Sequence, residues 1–165
     1  MKRILWFAAV LALGWMMACG GAEESREEAA STAPGKSQAE IDEEIIQQFL
    51  DDEAIQAQST ESGLYYTILE PGGAEKPTPS ALVTVNYQGT TLEGKSFDGT
   101  EEGKSIRFPL AQLIPGWQQG IPLIGRGGKI KLYVPSGMAY GARQLGPDIA
   151  PNSVLVFDIE LVDFE

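Results

Sequence analysis

Histidine is absent from these 165 residues and cysteine occurs once, at Cys19. Without His the commonest proton shuttle at neutral pH is missing, and without a second Cys there is no intramolecular disulfide, no thiol pair and no soft metal cage. Positive charge is also scarce: 12 Lys and Arg face 23 Asp and Glu, for a net charge of −11. No basic stripe and no interleaving of basic with aromatic residues occurs, so nucleic acid is not an expected partner. The one long apolar run, residues 4–18, is too short to span a bilayer comfortably.

That run follows Lys2 and Arg3 and ends in Met16-Met17-Ala18-Cys19-Gly20. The layout is that of a secretory signal, residues 1–18, and the ending resembles a bacterial lipobox whose cysteine, Cys19, would carry the lipid. With the signal removed, 10 basic residues stand against 23 acidic ones, a net of −13. Residues 20–61 hold −10 of this, twelve acids against Arg26 and Lys36. Residues 19–37, rich in small residues, Glu, Ser and Pro, read as an acidic tether that cannot bury enough apolar surface to order itself. Residues 38–59 read as an amphipathic helical arm in which Ile41, Ile45, Ile46, Phe49, Leu50 and Ile55 form the apolar stripe, with Asp42, Glu43, Glu44, Asp51 and Asp52 facing elsewhere. Such an arm is either a spacer docked on its own domain or, over residues 40–58, a homodimerisation arm.

From residue 60 to the end the pattern turns strand-like. Leu64 to Leu69, Leu82 to Gln88, Lys129 to Val134 and Val154 to Val162 are β-branched or aromatic runs, broken by Pro71-Gly72-Gly73, Pro77-Thr78-Pro79 and Gly125-Arg126-Gly127-Gly128. One short helix is expected near Pro115, where proline at the first helical position costs no hydrogen bond. The class is α+β with a single core. Gly125-Arg126-Gly127-Gly128-Lys129 is no phosphate loop, because it lacks a following Ser or Thr and leads into a strand. Glu101-Glu102 has no acid held opposite it and reads as a solvated tip.

Five segments then recur in order. Val83 to Gly89, Gly94-Lys95-Ser96-Phe97-Asp98, Phe108-Pro109-Leu110 with Ile114-Pro115-Gly116-Trp117, Tyr140-Gly141-Ala142 and Pro151 to Leu161 resemble the successive motifs of the FKBP-type peptidyl-prolyl cis-trans isomerases. The resemblance implies a strongly bent antiparallel β-sheet wrapped around one short α-helix, here preceded by the helical arm. It further implies isomerase activity on proline-containing polypeptides without metal or cofactor, or, as the alternative, a catalytically weak peptide-binding or chaperone module of the same fold. Family motifs place Trp117 as the floor of a proline pocket and Tyr87, Phe97 and Phe157 as walls. They put Leu113 and Ile114 at the rim, Asp98 at the mouth, and the Tyr140 hydroxyl and Ile114 amide against peptide carbonyls. Ile106, Phe108 and Ile149 complete the implied substrate contacts. The loop from Gly99 to Ser105 lacks the arginine that often pairs with the aspartate, which leaves Tyr87 alone, or Lys104, to hold Asp98. Asp148 falls where the family often has an apolar contact. Export, with a lipid anchor at Cys19 to a bacterial membrane, the outer one expected from Gly20, completes the reading.

Overall fold

In the computed structural model, residues 35–165 are described; the signal, Cys19 and most of the tether lie outside them. Among the described residues, seven strands and two α-helices follow one another as α1 (Gln38–Asp52), β1 (Gln58–Ser59), β2 (Tyr65–Glu70), β3 (Leu82–Thr91), β4 (Ser96–Gly99), β5 (Ile106–Pro109), α2 (Pro115–Gly120), β6 (Gly128–Val134) and β7 (Leu155–Phe164). All pairings are antiparallel, in the spatial order β1-β2-β6-β7-β3-β4 with β5 also on β3. The four expected strand runs lie within a residue or two of β2, β6 and β7 and inside a longer β3. Strands β1, β4 and β5 carry two to four residues each, too few for alternation to announce them.

Period-two alternation builds the core. Val83 and Val85 of β3, Ile130, Leu132 and Val134 of β6, and Leu155, Phe157, Ile159 and Leu161 of β7 are buried on one face, packed around Trp117 and Ile121. Helix α2 presses close because Gly116 has no side chain: a Cβ there would sit 2.6 Å from Val134 Cγ1. Any larger residue at position 116 would force Val134 or the helix to shift.

The other face is divided in two. At one end Ile46 and Leu50 of α1 form a second apolar cluster with Tyr133, Val154 and Val156. Elsewhere Lys131 pairs with Asp158 at 3.1 Å and Lys129 with Glu70 at 2.8 Å across the exposed strands. Helix α1 starts on a capping box: the Glu40 N–H donates to Ser37 Oγ, and the Ser37 N–H donates to Glu40 Oε2. At its other end the Ala54 N–H donates to the Asp51 carbonyl and the Ile55 N–H to the Leu50 carbonyl, a Schellman closure with Ala54 at φ 53°.

Two details of the helical stripe correct the sequence reading. Asp42, expected on the polar side, is 1% exposed, whereas Ile41 and Ile45 are 38% and 41% exposed. The buried line is Asp42, Ile46 and Leu50, spaced i, i+4, i+8. Asp42 is buried on account of its partner Ser136, not its hydropathy.

Candidate active site

Four aromatic rings meet edge to face on the concave side of the sheet. Tyr87 stands against Trp117 with centroids 5.0 Å apart and planes at 81°; Trp117 meets Phe157 at 5.4 Å and 87°, and Phe157 meets Phe97 at 5.7 Å and 89°. Phe108 adds a fifth ring, 6.5 Å from Tyr87. Each contact places a positive ring edge on a negative face, the favoured quadrupolar arrangement. Strands β3, β4, β5 and β7 supply Tyr87, Phe97, Phe108 and Phe157, and α2 supplies Trp117. Trp117 and Phe157 are buried, while Tyr87, Phe97, Phe108, Leu113, Ile114 and Tyr140 are half-buried around them. The result is a dry floor with an apolar rim. Gly89 makes it possible, since a Cβ there would lie 2.7 Å from Phe97 Cζ and 3.1 Å from Phe157 Cε1.

The polar groups lie at the edge. Tyr87 Oη donates to Asp98 Oδ2 at 2.8 Å, and the Gly99 N–H donates to Asp98 Oδ1 at 2.8 Å. Lys104 pairs with Glu101 instead, so Tyr87 and the Gly99 amide are the groups that hold Asp98. Burial first, then the bond to Asp98, pushes the Tyr87 phenol well above its ordinary pKa. Burial, and behind it the charge of Asp98, raises Tyr140 as well, with no hydrogen bond from a described residue contributing. Both phenols are therefore donors across the physiological range. The Ile114 N–H, at the start of α2, makes no backbone hydrogen bond among the described residues, while its carbonyl accepts from Trp117 and Gln118. Trp117 Nε1 is buried without a partner among the described residues.

The family description FKBP-type peptidyl-prolyl cis-trans isomerase matches residues 73–162, more than half of the chain. The chain belongs to this family. A probable FkpA of Neisseria meningitidis is 37% identical over 82% of this chain and 51% of its own length. The FKBP-type isomerase FkpA of Escherichia coli K12 is 44% identical over 73% of this chain and 44% of its own. The chain thus spans about half the length of the curated relatives it matches. Among solved structures, the crystal structure of FkpA from Escherichia coli superposes with a TM-score of 0.67 at 40% identity, covering 77% of this chain and 61% of that one. A peptidyl-prolyl isomerase from Pseudomonas syringae gives 0.66 at 31% identity, covering 79% of this chain and 98% of its own.

Of the residues that the FKBP motifs single out, Tyr87, Phe97, Asp98, Phe108, Leu113, Ile114, Trp117, Tyr140, Ile149 and Phe157 are either joined by these contacts or packed on the same core. Ile106 is not brought in: it shares a strand face with Phe108 but lies further out, 39% exposed. Ile149 is buried in the core, its backbone bridged to Leu145. Asp148 is paired with Lys95 at 2.5 Å, which ties the loop before β7 to the β3–β4 turn. Sequence reasoning did not single out Gln118, whose Nε2 donates to the Leu113 carbonyl at 2.7 Å and braces the rim segment. A glutamine one position after a helical Trp gives no periodic signal that would have found it. A groove of about 910 Å³ is lined by Tyr87, Phe97 and Asp98 and further by Asn86, Gln88, Lys129, Asp158 and Glu160.

Proposed function

We propose that the chain catalyses cis-trans isomerisation of Xaa-Pro bonds in exported polypeptides, EC 5.2.1.8. The observation that carries this reading is the floor of Trp117 and Phe157 ringed by half-buried apolar groups, with phenolic and amide donors only at its edge. Rotation about an Xaa-Pro bond faces a barrier of about 18 to 20 kcal/mol, because it breaks amide resonance. In the twisted state the carbonyl is less dipolar, so an apolar floor disfavours it less than the planar ground state. Trp117 would seat the proline ring, Phe97 and Phe157 would exclude water, and Tyr140 and the Ile114 amide would hold the flanking carbonyls. Asp98 orients Tyr87 and sets the negative edge of the mouth. No proton moves in this scheme.

The remaining organisation belongs to the same proposal. Residues 1–18 act as an export signal, Cys19 carries a diacylglyceryl anchor, residues 19–37 form the tether, residues 38–59 the arm, and residues 60–165 the isomerase domain on a bacterial membrane facing the periplasm or surface. One relative's name supports an envelope setting, the outer membrane protein MIP of Legionella longbeachae. A protease-coupled assay on Xaa-Pro peptides tests the activity: acceleration by the purified chain is expected. If it accelerates none of them yet binds proline peptides, the chain is a binding module. Cys19→Ala is expected to release the protein from membranes, and a native N-terminus without acyl mass would refute the anchor.

A further inference from the structure

Asp42 is the buried carboxylate that this mechanism does not use. It lies on α1, 94 positions before its partner, and is 1% exposed. Its Oδ2 accepts the Ser136 N–H at 2.8 Å and the Ser136 hydroxyl at 2.6 Å, and its Oδ1 accepts Gln38 Nε2 at 2.6 Å. Ser136, itself 1% exposed, opens the 3₁₀ turn Ser136–Met138, and its carbonyl accepts the N–H of Ala139 at 3.0 Å and of Gly141 at 2.8 Å. Tyr140 lies between those two donors. The carboxylate thus caps the turn from one side while the serine carbonyl holds both flanks of Tyr140 on the other. Among the described residues this buried carboxylate has three donors and no cation, and a polar group so placed is retained only where those bonds are made.

We propose that Asp42 is a positioning residue for Tyr140, so that docking of α1 sets how well the site holds the carbonyl beside the proline. The inference rests on the isomerase reading above. The appended helix is then a working part of the site instead of a passive spacer.

A double-mutant cycle in the full-length chain tests it. Asp42→Ala is expected to lower kcat/KM on an Xaa-Pro peptide by about three- to tenfold. Asp42→Asn, which keeps an acceptor for Ser136, should restore most of the loss. In the Tyr140→Phe background, Asp42→Ala should cost less than about 1.5-fold further, since both changes act through one hydroxyl. Losses that multiply, or a folded Asp42→Ala protein with wild-type efficiency, overturn the proposal. Amide hydrogen exchange gives a second readout independent of turnover. Asp42→Ala should speed exchange at Ala139 and Gly141 by about tenfold or more while Val85 and Ile159 keep their protection; a uniform loss would mark general destabilisation and overturn it. Should Asp42→Ala fail to fold, Ser136→Ala, which removes the hydroxyl bond to Asp42, carries the same two measurements. If the wild-type chain does not isomerise, the functional reading fails on its own, and the exchange pattern still decides whether Asp42 sets the Tyr140 segment.

Discussion

Tyr87, Asp98 and Tyr140 differ in what each can be asked to do. Tyr87 is bonded to Asp98 and raised in pKa by burial first and by that bond second, so it orders the mouth. Tyr140 is raised by burial without such a bond, so its hydroxyl is the one available to a substrate. Tyr140→Phe removes a single hydrogen bond worth about 1 kcal/mol and should slow catalysis by about tenfold or less in the peptide assay. Phe97→Ala should do more, because it uncovers Phe157 and admits water to the floor; Asp98→Ala should also exceed Tyr140→Phe, because it releases Tyr87. Equal or smaller losses in folded proteins would place the site elsewhere. Since no proton moves, kcat/KM should be flat from about pH 6 to 8, and a bell-shaped profile would refute the mechanism. A phenol whose pKa is higher folded than unfolded stabilises the protein below the unfolded value, and that contribution fades as pH rises towards the folded one. For Tyr87 the loss therefore starts above its ordinary value of 10.0, which thermal melts between pH 8 and 11 would register as a decline confined to the alkaline end.

At the scale of elements, what was legible in the sequence had either period or punctuation. Strands β3, β6 and β7 alternate over seven to ten residues and Pro115 opens α2, so the sheet and its helix follow from pattern. The two- to four-residue strands exist because β2 and β3 offer them edges, a tertiary fact without local sequence signal. Five scattered motifs, not any one aromatic, pointed to the floor and walls, since an isolated buried Trp or Phe is core in either case. Ile106 was inferred from motif position alone, and the structure puts it at an exposed strand end. Asp42 escaped because a carboxylate's burial depends on a serine 94 positions away. The C-terminus of α1 holds a further test: Ala54 occupies the left-handed position of a Schellman motif that glycine normally fills. For Ala the left-handed backbone costs about 1 to 2 kcal/mol, against roughly 0.4 to 1 kcal/mol of extra unfolded-state entropy brought by Gly. Ala54→Gly should therefore raise the melting temperature by a few degrees, and a fall would show that the strain is relieved elsewhere.

In the whole molecule, two apolar clusters share one sheet. The larger, on the concave face, contains every ring of the site and no residue of α1, while the smaller exists only where α1 lies on Tyr133, Val154 and Val156. Deleting residues 20–58 should consequently leave a domain that still melts cooperatively, because Val83, Leu132, Phe157 and Leu161 keep their neighbours. It should melt lower, since Tyr133 and Val156 would face water and Ser136 would lose its carboxylate. A single buried Ile or Leu is worth about 1.5 to 3 kcal/mol, so loss of Ile46 and Leu50 together should shift the midpoint by about 5 °C or more. An unchanged midpoint would mean that α1 does not dock in solution. The same helix decides the assembly. Ile46 and Leu50 are used on the chain's own domain, which leaves Ile41 and Ile45 as the exposed apolar side chains of α1, and two partly covered isoleucines fall well short of the roughly 800 Å² per partner that a stable interface buries. Sedimentation of the chain lacking its signal and lipid should give a monomer at micromolar concentration, with the shortened domain a monomer too. A dimer that dissociates when residues 20–58 are removed would show instead that α1 leaves its own sheet to pair with a second copy, and the Asp42–Ser136 bond would then have to break on assembly.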